Sequence, residues 1–105
     1  MGAKTMKQYN IKYDSNAFIA YVKHYDIDMD QPGAFSNMTR FLAGANCKQM
    51  GSMQAWVLTD EAGNKWLQSY YTIVSVKWAN TGTFERFGKW SVTTSKQQTY
   101  FERKF

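Results

Sequence analysis

Two side chains in this sequence could serve as nucleophile and base: Cys47, the single cysteine, and His24, the single histidine. A thiol activated by an imidazole would do acyl-transfer chemistry. No local pattern brings the two together, and a small buried thiol plus a histidine at the negative end of a helix accounts for both. One residue of each kind also leaves the usual four-ligand zinc sites without their ligands. Asp26, Asp28 and Asp30 alternate as the carboxylates of a calcium loop do. Such a loop needs glycine at its sixth position and a bidentate acid at its twelfth, where this chain has Gln31 and Asn37. These acids read instead as solvated residues of an extended link, or as a patch for a basic partner. Gly44 and Gly51 are not followed by Gly-Lys-Ser/Thr, so a phosphate loop is not expected. The sequence therefore predicts no enzyme, no metal and no cofactor.

What remains is charge and aromatic surface. Thirteen Lys and Arg face eight Asp and Glu for a net charge of +5. Three of the acids lie within residues 26–30, so the rest of the chain is more basic still. A moderately basic domain suits phosphate backbones or acidic protein surfaces, and it excludes mimicry of DNA. Lys77, Lys89, Lys96 and Arg103, with Tyr71 and Phe87 between them, are the residue types that hold phosphates and stack bases. No RRM-type aromatic motif or Gly-x-x-Gly clamp accompanies them, and aromatics buried under helices explain many of the same positions.

The elements that must position these residues follow from periodicity. Gln8 to Tyr13 alternates, with Tyr9, Ile11 and Tyr13 on one side, and predicts a short strand. Asp14 or Ser15 caps a helix in which Ala17, Phe18, Tyr21, Val22 and Tyr25 recur at helical spacing. Asp-Gln-Pro-Gly at 30–33 breaks the chain. A second helix is expected from Ser36 to Ala43, with Phe35, Met38, Phe41 and Leu42 on one face and Gly44 as its stop. Met53 to Thr59 and Lys65 to Trp78 alternate as strands around a glycine-containing loop at 60–64, and Thr83 to Trp90 makes a third. A three-residue loop with a left-handed Gly82 would pair Trp78 with Phe84 and Lys77 with Glu85.

That register predicts one sheet face with Trp66, Tyr70, Val74, Val76, Trp78, Phe84 and Trp90, covered by helices. The opposite face carries Ser69, Tyr71, Ile73, Ser75, Lys77, Glu85, Phe87 and Lys89 as a mixed surface, while Arg86 falls on the apolar face, fits it poorly and is expected at an edge. Thr94 to Gln97 has capping-box spacing and opens a final helix toward Arg103, with Phe101 and Phe105 on its buried side. The expected architecture is α+β: a three- to four-stranded antiparallel sheet with two to three short helices on one face, in a single compact domain spanning 1–105. An edge strand at Met53 to Thr59 would allow pairing across a dimer.

Ser69-Tyr70-Tyr71-Thr72-Ile73-Val74, with Trp90-Ser91-Val92-Thr93-Thr94-Ser95-Lys96 and Phe101, resembles a pattern in small, functionally uncharacterised phage and mobile-element proteins. In that group Ser-Tyr-x-Thr-x-Val sits on a strand, and the second motif opens a closing helix. Gln97 stands where many members have histidine. The resemblance implies gene context rather than an activity.

The longest apolar run, Ala17 to Val22, is far short of a bilayer span, so no membrane partner is expected. Residues 1–11 lack the apolar core of a secretory leader, and a lone cysteine suits a reducing compartment, so the expected location is the bacterial host cytoplasm. Together these readings predict a non-enzymatic binding protein that occludes a host protein or ribonucleoprotein, such as a CRISPR-type defence nuclease. Tyr71, Lys77, Phe87, Lys89 and Lys96 are the expected contact residues. The alternative is a nucleic-acid-binding accessory factor using the same surface.

Overall fold

The computed structural model describes residues 11–43 and 46–105. Ile11–Tyr13 forms a single 3₁₀ turn rather than the end of a strand, and the remainder of that expected strand, Tyr9 included, lies outside the described residues. The turn delivers Asp14 to the start of α1 (Ser15–Tyr25). One carboxylate oxygen of Asp14 accepts from the Ala17 amide at 3.0 Å, while the other accepts from the Ile73 amide at 3.1 Å. A single buried side chain thus caps the helix and pins it to the sheet. After the break at 30–33, α2 (Ala34–Leu42) buries Met38 and Leu42 and leaves Phe35 exposed. The expected stop at Gly44 lies outside the described residues.

Five antiparallel strands follow in chain order: β1 (Asn46–Gln49), β2 (Ala55–Thr59), β3 (Lys65–Ser69), β4 (Thr72–Lys77) and β5 (Phe84–Arg86). α3 (Val92–Lys104) closes the chain. The architecture is α+β, with one correction to its layering. α1 and α2 cover one face of the sheet, packing on Leu58, Trp66, Ile73, Val76 and Trp78. α3 covers the other, where Phe101 meets Ala55, Val57, Leu67 and Val74. Helices therefore lie on both faces, and in β2 to β4 residues of both parities are buried, polar Gln68, Ser69 and Ser75 among them.

Two irregularities redistribute the side chains. The run expected as one long strand, Lys65 to Trp78, folds back on itself at Tyr70-Tyr71, where Tyr70 takes a φ of +55°. The register then shifts: Leu67 faces Ser75 while Gln68 faces Ile73, leaving Val74 as an extra residue in β4. A bulge of this kind inverts the alternation beyond it. Val74 accordingly joins the α3 face, and Ile73 the α1 face together with Val76. Phe84 and Phe87 also exchange the expected sides, Phe84 packing toward Phe101 and Phe87 toward Trp66.

The β4–β5 hairpin keeps a left-handed Gly82 (φ +71°), but its register pairs Lys77 with Phe84 and Val76 with Glu85. Lys77 therefore faces Phe84 instead of Glu85, and Glu85 accepts from the Trp78 indole N–H at 3.2 Å. Arg86 does sit at an edge, on β5, as its poor fit to an apolar face predicts. The expected edge at Met53 to Thr59 is instead an interior strand, β2, flanked by β1 and β3.

Candidate functional site

The two covered faces scatter the residues expected to form one contact surface. Tyr71 is exposed at the tip of the β3–β4 turn. Lys77 lies on the α3 side, where its ammonium donates to the Phe105 carbonyl and sits 5.6 Å from the Phe84 ring. Phe87 points to the opposite side, half-buried against the first core cluster. The open aromatic and basic sheet face does not exist. Lys89 and Lys96, however, are brought together at the start of α3.

Local chemistry explains that junction. Gly88 adopts φ +149°, a conformation that disfavours any side chain, and turns the chain so that the Trp90 ring lies back over it. Ser91 then caps α3, its hydroxyl accepting from the Thr94 amide at 3.2 Å, so the helix begins three residues earlier than the capping-box spacing implied. Trp90 and Val92 are left 45% and 73% exposed, and line an open groove of about 470 Å³ between Lys89 and Lys96. An exposed tryptophan beside cations on a fixed helix start has the composition of an interaction hot spot.

Two further depressions continue along the same helix. Lys96 is shared with a hollow of about 410 Å³ lined by Tyr70 and Tyr100. Tyr100 in turn is shared with a cleft of about 430 Å³ at the helix's far end, lined by Lys48, Lys65 and Lys104. Lys96, Tyr100 and Lys104 fall at i, i+4 and i+8, so they share one face of α3. That spacing was legible in the sequence, whereas the convergence of Lys48 and Lys65 on it was not. The single acid of α3, Glu102, is drawn to the other flank by Arg86, in a paired contact at 2.7 and 2.9 Å. Hydrogen bonding from Arg86 holds the Glu102 carboxyl below the ordinary carboxylate range. The pair ties β5 to α3 and leaves the basic stripe without an acid of its own helix.

The inward side of α3 is polar. Ser69 Oγ donates to Gln97 Oε1 at 2.5 Å and lies 3.1 Å from Thr94 Oγ1, while Gln98 Nε2 donates to the Val74 carbonyl at 3.1 Å. An amide oxygen accepts a hydrogen bond but does not remove the proton, so Gln97 gives Ser69 no general base. The motif Ser69 to Val74 therefore spans a hairpin turn, not one strand, and its first serine anchors the closing helix.

The other candidate chemistry resolves into structural contacts. The His24 ring stacks on Trp78 at 3.7 Å and its Nε2 lies 2.9 Å from Asn80 Oδ1. Cys47 sits in β1 opposite Leu58 and packs against the first core cluster. Asp26, Asp28 and Asp30 are exposed, Asp28 accepting from the Asp30 amide. Among the described residues no group of three or more His, Cys, Asp or Glu is placed to hold a metal ion. No helix among them is long and apolar enough to cross a membrane.

A buried carboxylate, Asp60, organises the end of the sheet beneath α1. Its oxygens accept from the Trp66 indole and from the Asn64 side chain, each at 2.9 Å, and from the Ala62 and Asn64 amides. Burial, reinforced by Asp60, pushes the nearby Tyr21 phenol up to about 12.

Residues 42–104 match a family of unknown function, DUF8033. The match covers more than half the chain, from the end of α2 through the whole sheet and α3, so the chain belongs to this family. All the residues that line the three depressions lie within it except Phe105. No curated protein and no solved structure matches the chain.

Proposed function

We propose that this DUF8033 member is a small non-enzymatic binding protein of a phage or mobile element, working in the bacterial host cytoplasm. It occludes a host protein or ribonucleoprotein, in the manner of an anti-CRISPR inhibitor of a defence nuclease. Its working surface is the exposed side of α3 rather than a sheet face. The observation that carries this reading is the groove at the helix start, where Trp90 and Val92 stand exposed between Lys89 and Lys96. An exposed tryptophan that a partner can bury supplies much of the affinity of many interfaces, and flanking lysines set orientation and partner charge. The backbone at Tyr70, a non-glycine residue at positive φ beside the same surface, is a sparsely populated conformation of the kind that gathers at binding sites.

The test is affinity capture from bacterial lysate, with and without nuclease digestion, comparing the wild type with Trp90→Ala/Lys96→Glu. The expected result is a host protein that is retained after digestion by the wild type and lost by the double variant. Equal capture by both proteins would place the interface elsewhere. Capture only of nucleic acid, with all proteins released on digestion, would replace the inhibitor with an accessory factor that binds nucleic acid directly.

A further inference from the structure

We propose that the cleft at the C-terminal end of α3 is a phosphate-binding site for single-stranded nucleic acid. Lys48, Lys65 and Lys104 hold the phosphates, and Tyr100 offers the ring on which a base stacks. The inference rests on α3 as the working surface and adds the chemical class of what lies along it.

Three elements contribute one lysine each to the lining of this cleft: β1 gives Lys48, β3 gives Lys65 and α3 gives Lys104. The lining holds no carboxylate side chain. Among the described residues the side-chain ion pairs are Arg40–Glu61 and Arg86–Glu102, both elsewhere. The needs of the fold do not explain such a concentration. A lysine in the last turn offsets the negative end of a helix, a role that Lys104 fills, and Lys77 already donates to the Phe105 carbonyl there. Three lysine side chains outnumber the roughly half negative charge of the helix end, so the side chains of the lining are net positive. Lys65 is also placed directly across β3–β4 from Lys77, a like-charged pair that weakens a sheet. A repulsive pair beside a cleft with no acid in its lining fits a site whose missing counter-charge arrives with a ligand.

The aromatic component separates a nucleic acid from an acidic peptide. Tyr100 lines both this cleft and the hollow that holds Lys96 and Tyr70. Cations thus alternate with rings along the helix, the arrangement by which proteins hold single strands with little sequence preference. Acidic peptides gain from the lysines alone, and the rings would be idle. A duplex keeps its bases stacked in its interior, away from Tyr100, so a single strand is the better fit.

The probe is a fluorescein-labelled oligo-dT or oligo-U single strand, read by anisotropy across a salt series, with a fluorescein-labelled polyglutamate peptide as the second ligand. The variants are the triple Lys48→Gln/Lys65→Gln/Lys104→Gln, which removes three positive charges and keeps the side chains polar, and Tyr100→Leu. Each phosphate contact contributes about 0.7 to the logarithmic salt slope for single strands. The wild type should therefore lose roughly 20-fold in affinity between about 50 and 200 mM salt through these three contacts. The triple variant should bind more weakly at low salt, with a slope smaller by about 2. Tyr100→Leu should weaken binding while keeping the wild-type slope. No oligonucleotide binding at low salt, an unchanged slope in the triple variant, or polyglutamate binding as tight as the oligonucleotide would each overturn the proposal. Nuclease-resistant capture of a host protein through Trp90 and Lys96, without oligonucleotide binding, would overturn this site alone and leave the α3 interface standing.

Discussion

Lys65→Glu separates the fold's interest from the cleft's more sharply than any other single change. Lys65 faces Lys77 directly across β3–β4, where opposed Cβ atoms lie about 5 Å apart. With the two ammonium groups at about 7 Å in a water-like medium, their repulsion is about 0.6 kcal/mol. Reversing one charge turns it into an attraction of similar size, a swing of about 1 kcal/mol. Lysine and glutamate have similar strand propensity, so the backbone contributes little. For a domain of this length the gain corresponds to a Tm rise of about 5 °C. Salt screens the pair, with a Debye length of about 10 Å at 0.1 M and 3 Å at 1 M, so the gain should fade at molar salt. Thermal unfolding followed by circular dichroism at low and high salt measures it, with Lys65→Gln expected at about half the effect. If Lys65→Glu is no more stable than wild type at low salt, or its gain ignores salt, then the pair is not strained and the reasoning about a missing counter-charge fails. A variant that is more stable yet binds the oligonucleotide less well is the signature of a site maintained against stability.

Two other outcomes test the frame that holds the site. Asp60→Ala leaves the buried Trp66 indole N–H and one of the two Asn64 side-chain N–H groups without their acceptor, the other still donating to the Tyr25 hydroxyl; at about 1–3 kcal/mol each, a loss of about 4 kcal/mol is expected in urea unfolding. A loss below about 1 kcal/mol would mean that the network relaxes around the gap. Tyr21, with its phenol raised to about 12 against an unfolded value near 10, binds its proton more tightly when folded. Its contribution to stability is therefore complete below about pH 10 and is lost as pH rises toward about 12. Ultraviolet difference titration should show one late tyrosine, absent in Tyr21→Phe, and an unchanged titration curve in that variant would refute the assignment.

Covering both faces of the sheet has a functional consequence. Most of each face is closed to a partner, so the proposed recognition falls to the outside of the closing helix and to the strip of sheet beside it. α3 is well suited to this because its inner side is fixed by both packing and hydrogen bonds. Phe101 is wholly buried against the sheet, and an aromatic ring of that size removes roughly 200 Å² from water, worth about 5 kcal/mol. Gln97 and Gln98 set the rotation of the helix through Ser69 and the Val74 carbonyl. Lys96 and Lys104 are consequently held outward on a rigid element, with Tyr100 half-buried between them against the second core cluster.

Short-range patterns were legible in the residues themselves. Asp14 as a cap, the helical spacing from Ala17 to Tyr25, the left-handed Gly82 and the burial of Phe101 each depend on chemistry within a few residues, and each is found in the structure. The Tyr70-Tyr71 turn was hidden because it lacks glycine, asparagine and proline. Tertiary packing holds Tyr70 at positive φ, its amide donating to the Gln54 carbonyl at 2.9 Å. The bulge at Val74 was equally hidden, since an inserted residue changes nothing in composition but inverts every side chain beyond it. β1 is short and polar, and it exists as a strand only because β2 offers it an edge. The same limit applies to the site. Lys96, Tyr100 and Lys104 share a helix face by spacing alone, whereas Lys48 and Lys65 reach it only through strand pairing and the placement of α3. Local sequence sets which way a side chain points along its own element, and long-range packing decides which elements meet.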